Sequence, residues 1–147
     1  MEYREFIIQV QTMGKLASFE EAETATLAVM RALSEVLSQE QARRVQACLP
    51  SELSSLLECC RPEPDPYIDS QTFIGWTMSG LDATGLRDKT LGGLDLFSVD
   101  VAEEAMRRCR CVFCALKTCL DRSLHEAFAR DLPEGVCDWF RSAQASR

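Results

Sequence analysis

Apolar residues recur along this chain at the spacing of amphipathic helices. Tyr3, Phe6, Ile7 and Val10 fall at i, i+3, i+4 and i+7, one face of a first helix that Gly14 is placed to stop. Ser18 with Glu21 forms a capping box, in which each side chain satisfies an N–H at the helix start. Ala22, Ala25, Val29, Ala32, Leu33 and Val36 then make a second, longer stripe. Ser38 with Gln41 predicts another capped start, opening a short helix through Ala42, Val45 and Cys48. Pro50 forces Leu49 out of the α region and suits the first turn of a further helix, whose buried face is Leu53, Leu56 and Leu57.

Residues 61–68 hold prolines at alternate positions (Pro62, Pro64, Pro66) and read as an extended linker. Asp69 or Ser70 caps the next helix, in which Phe73, Ile74 and Thr77 repeat the opening pattern. Residues 81–97 are punctuated by glycine and read as a loop. Asp100 with Glu103 caps a helix whose core stripe is Ala105, Val112, Ala115, Leu116, Cys119 and Leu120. Asp121 caps a short helix containing Phe128, and Val136, Trp139 and Phe140 mark the last one. No segment alternates as a strand over a convincing length, so the predicted fold class is all-α.

The pattern also repeats. Offset by about 83 residues, Glu20, Glu21, Ala22, Val29, Ala32, Leu33, Leu37, Leu49 and Pro50 fall on Glu103, Glu104, Ala105, Val112, Ala115, Leu116, Leu120, Leu132 and Pro133. The first helices align instead at about 67, which leaves an insertion of roughly 16 residues within 81–97 of the second copy. The sequence therefore predicts two pseudo-repeated helical units of about four helices each, residues 1–60 and 69–147, packed as one bundle-like domain. Each unit is short enough to need the other to cover its apolar face.

Composition narrows the function classes. The 147 residues are 46% hydrophobic, in the ordinary globular range, and carry a net charge of −7. That charge argues against a nucleic-acid partner, which would need clustered Lys and Arg; Arg107, Arg108 and Arg110 read as solvated helix surface. The start of the chain lacks a basic region and a long apolar core, and no apolar run suffices for a membrane span, so no membrane partner and a cytoplasmic location are expected. In that compartment the 8 cysteines are thiols rather than a disulfide framework.

The first unit resembles a known family. Tyr3, Phe6, Glu20, Glu21, Ala22, Ala32, Leu33, Leu37, Ser38 and the closing Leu49, Pro50, Glu52 and Leu53 are similar to the DUF2267 family of uncharacterised bacterial proteins. The resemblance covers about residues 1–58 well and about 69–142 in degenerate form. It implies a helical module, often in tandem, with no activity, cofactor or catalytic residue to transfer.

Candidate chemistry is sparse. Cys109, Cys111, Cys114 and Cys119 lie within one predicted helix, and Cys111 and Cys114 are near enough around it to share a soft metal. The competing reading is packing, because Cys behaves as a small hydrophobe. His125 is the one histidine and has no motif around it; Gly92-Gly93 lacks the Lys-Ser/Thr of a phosphate loop. The early glutamates of two helices suit the positive end of the helix dipole. Trp76, Leu94, Phe97 and Trp139 are candidates for a partner surface. The sequence thus predicts a non-enzymatic interaction or adaptor module that binds a protein or itself, without catalytic residues or cofactor. The alternative is a metal-, redox- or ligand-responsive sensor using Cys109, Cys111 and Cys114 or a pocket between the units.

Overall fold

The computed structural model describes residues 2–58, 67–82 and 99–143 of the chain. Most of the expected linker and of the loop at 81–97, with Leu94 and Phe97, lies outside them. Eight α-helices and no strand occur among the described residues: α1 (Tyr3–Gly14), α2 (Phe19–Val36), α3 (Gln39–Gln46), α4 (Ser51–Ser54), α5 (Ser70–Asp82), α6 (Val99–Cys119), α7 (His125–Asp131) and α8 (Val136–Ser142). Short 3₁₀ turns follow α4 at Ser55–Leu57 and precede α7 at Arg122–Leu124. The fold is all-α, as the periodicity predicts.

Four helices enclose the core. The long helices α2 and α6 touch each other, and α1 and α5 each pack against both. The predicted faces are the buried ones: Phe6, Ile7 and Val10 of α1; Ala22, Ala25, Val29, Ala32, Leu33 and Val36 of α2; Phe73, Ile74 and Thr77 of α5. Helices α3, α4, α7 and α8 close the end of this core, with α3 against α7 and α8 against α6. Helix α6 is buried on more than one stripe. Cys109, Cys111, Val112, Phe113, Ala115 and Leu116 are all buried and together cover more than half of the helix circumference, leaving Arg110 and Cys114 on the more open side. Phe113 lies outside the predicted stripe, yet its ring meets Phe73 at 6.4 Å and Phe140 edge-on at 5.7 Å.

The helix ends use some predicted residues in other ways. Ser18 Oγ accepts the Glu21 N–H at 3.1 Å, but Glu21 turns its carboxylate to the Ala17 N–H rather than to Ser18. Ser38 Oγ accepts from the Gln41 N–H, while its own N–H and hydroxyl donate to Asp131 at 3.1 and 2.8 Å. The reciprocal half of that cap therefore comes from α7, 93 residues away, and not from Gln41. Asp69 is the cap of α5, accepting the Thr72 N–H at 2.8 Å. Pro50 stands at the N-cap of α4 rather than inside its first turn, and Asp121 makes no side-chain cap because a 3₁₀ turn intervenes before α7. Helix α6 already includes Val99, so Asp100 lies within its first turn.

Helix α1 does end at Gly14, but the left-handed residue is Lys15, with φ of 50°. Its N–H reaches back to Gln11 and Thr12 carbonyls, and Leu16 N–H to Gln11 at 3.0 Å, the wrapped C-terminus usually built on glycine. Gly14 serves a different need: a Cβ there would stand 3.3 Å from Cys111 Sγ, so its absence lets α1 lie close on α6. Two expected outcomes follow from these positions. Lys15→Gly should stabilise the fold by about 0.5–1 kcal/mol, since a side chain is strained at positive φ. Phe113→Ala should cost about 3–5 kcal/mol, the range for an emptied aromatic core site. Urea denaturation of each variant measures both.

Candidate functional site

The first turns of α6 carry the densest group of charges among the described residues. Glu104 accepts from Arg107 Nε and Nη2 at 2.9 and 2.5 Å, a two-pronged pair, and from Arg108 Nε at 2.9 Å. Arg107 Nη1 also donates to the Gly14 carbonyl at 2.6 Å, so it caps the end of α1 as well. Arg108 lies 4.0 Å from Glu21 of α2 and is 6% exposed. That corrects the reading of Arg108 as solvated surface; the helix spacing could not reveal that α2 brings an acid to meet it. Together these groups tie the corner between α1 and α2 to α6.

Burial opposes the charge on Glu104, but the hydrogen bonds from Arg107 and Arg108 outweigh it and hold its carboxyl below the usual glutamate range. The sign of the pH dependence follows. A carboxyl with a lowered folded-state pKa contributes stability that is complete above its unfolded value of about 4.5 and is lost as pH falls through the lowered value. Thermal unfolding should therefore shift downward on acidification below about pH 4.5, and Glu104→Gln should flatten that part of the profile. Arg108→Ala should cost about 1–3 kcal/mol at neutral pH, somewhat under the range for removing one partner of a fully buried pair because Glu104 retains Arg107.

The cysteines distribute through the core instead of converging. Cys109 is fully buried, and burial pushes its thiol far above the usual range. Burial also raises Cys111, against the pull of nearby Arg107, and raises Cys119. Cys114, Cys119, Cys48 and Cys137 are half-buried, and no disulfide joins the described cysteines. Among the described residues no three His, Cys, Asp or Glu side chains group where they could hold a metal ion. Cys111 and Cys114 do share one face of α6, the face turned to α1.

His125 and Lys117 act as fasteners at the other end of α6. His125 Nε2 lies 3.1 and 3.3 Å from the Lys117 and Leu120 carbonyls, at the C-terminus of α6, with its ring edge-on to Phe140. Lys117 Nζ donates to the Arg141 and Ala143 carbonyls at the end of α8 and sits 5.0 Å over the Phe140 ring. An open depression of about 420 Å³ lies elsewhere, lined by Glu2, Tyr3, Arg4, Pro50 and Glu52. In it the Tyr3 hydroxyl donates to Glu23, and burial, with the Glu23 charge, raises the phenol above its usual range.

The two tryptophans part company. Trp139 is half-buried, packed against the main core and against a small satellite of Ala25, Ile74 and Ala105. Trp76 is 37% exposed on the outer face of α5, next to Gly75, around whose α-carbon there is open space. Tyr67, at the approach to α5, is 91% exposed.

The geometry is that of a helical protein whose charged and aromatic groups mainly secure one helix to another. Residues 3–90 match the family described as "Uncharacterized conserved protein (DUF2267)", and the chain belongs to it. A search of the curated proteins gives no match. No helix among the described residues is long and apolar enough to cross a membrane.

Proposed function

We propose that the protein is a non-enzymatic interaction module that binds another protein, or a second copy of itself, through the outer face of α5. The observation that carries this reading is Trp76: a large apolar side chain left 37% exposed at the edge of the buried face of α5, where the neighbouring positions Phe73 and Thr77 anchor the helix in the core. A rigidly mounted, partly exposed Trp is a common anchor for a partner's pocket. The groups that could suggest catalysis are engaged structurally, His125 at the end of α6 and Glu104 between two arginines. A reducing, cytoplasmic setting, in which cysteines stay thiols, goes with this reading.

The chain also reads as two related units. In support, α1 to α4 and α5 to α8 both run as two longer helices followed by two short ones, and α1 and α5 take equivalent places between α2 and α6.

Light scattering at rising concentration, with crosslinking in an extract of the source cells, tests the interaction reading. Trp76→Ala should weaken the association about tenfold or more while moving the unfolding midpoint little, since Trp76 is not a core residue. A strict monomer with no crosslinked partner, or an association indifferent to Trp76, would count against it.

A further inference from the structure

Two thiols stand side by side in the seam between α1 and α6. Cys111 and Cys114, three residues apart, have Cβ atoms about 5–6 Å from each other on a regular helix. Both belong to the seam: Cys111 Sγ abuts Gly14, and Thr118, one turn beyond Cys114, receives a hydrogen bond from Gln9 of α1. Cys111 is 9% exposed and Cys114 more open, so the pair is shielded on one side and reachable on the other.

The spacing discriminates among the chemistries open to two thiols. A disulfide needs Cβ atoms about 3.5–4.5 Å apart, closer than this pair stands on an undistorted helix. Structural zinc takes four ligands, and no third His, Cys, Asp or Glu joins the pair among the described residues. A linear two-coordinate ion needs only two sulfurs, and bonds of about 2.3 Å, as in zinc–thiolate sites, set them about 4.6 Å apart. That separation is within reach of this pair. Among physiological ions, thiolates alone in low coordination select monovalent copper.

We propose that Cys111 and Cys114 form a two-coordinate bis-thiolate site for Cu(I) in the seam between α1 and α6. Two thiols release two protons to solvent and bind one Cu⁺, with no change of oxidation state, leaving a centre of net charge −1. Arg107, one turn before Cys111, and Lys117, three residues after Cys114, both interact electrostatically with the pair and offset that charge. Glu104 acts against it at Cys111 but is itself bound by Arg107 and Arg108. The site is independent of the Trp76 surface.

The experiment is a titration of the reduced full chain with Cu(I) under anaerobic conditions, against bicinchoninate as competing chelator. Bound ion should protect both thiols of the tryptic fragment 111–117, which is released by cleavage after Arg110 and Lys117 and contains no other cysteine. Iodoacetamide followed by mass spectrometry then finds that fragment doubly alkylated without copper and unmodified with it, while Cys137 is labelled in both. X-ray absorption should show two sulfur neighbours. Cys111→Ser and Cys114→Ser should each weaken binding about a hundredfold or more, and Cys137→Ser should not. Circular dichroism reports whether the variants fold; if they do not, protection in the unaltered chain decides. Equal alkylation of fragment 111–117 with and without copper, protection of other cysteines in its place, or full affinity in both serine variants would overturn the proposal.

Discussion

Helix α6 is surrounded, and its surroundings dictate much of the rest. With α1, α2, α5 and α8 all resting on it, few of its middle positions face water. Close approach demands small side chains, which Cys111 supplies toward α1 and Ala105 toward α2 and α5, and on α1 a residue with none, Gly14. A wider gap on another side demands a ring, and Phe113 fills it between Phe73 and Phe140. Thiols are well suited to such a helix because they pack as small apolar groups. Enclosure also explains the charges at its start: Arg108 is out of water, so Glu104 and Glu21 must meet it.

What could be read in advance was what is local. The caps Ser18, Ser38 and Asp69 were legible because each oxygen serves an N–H three residues along the same chain. The stripes of α1, α2 and α5 were legible because one face of each is buried and one is not. Partners supplied from afar left no trace in the spacing. Nothing near Ser38 points to Asp131, and nothing near Arg108 points to Glu21. Phe113 escaped for a related reason: a helix enclosed on most sides has no single stripe to count. Gly135, with φ of 90° and its would-be Cβ 3.2 Å from Ser70, combines both cases, a strained turn and a distant neighbour.

The same division runs through the functional candidates. Residue type alone cannot separate a fastening histidine from a reacting one; the carbonyls around His125 do. Likewise the two tryptophans look equivalent in a list of aromatic residues. Position on the helix separates them, because Trp139 bridges two apolar clusters while Trp76 stands at the border of the buried face of α5, more than a third exposed. Helix α5 is thus buried at Phe73, Ile74 and Thr77 and exposed at Gln71, Gly75 and Trp76.

The placing of α1 and α5 has a further consequence. Each lies against a long helix from its own part of the chain and one from the other part, and the Ser38–Asp131 bond crosses the same divide. Neither part therefore possesses a complete interior. Separated at the connection between them, the two pieces would each present a sticky, half-finished surface, and each would be the best available complement for the other. The molecule is in effect a pair of interlocking fragments that happen to share a backbone, a ready scaffold for split-protein reconstitution.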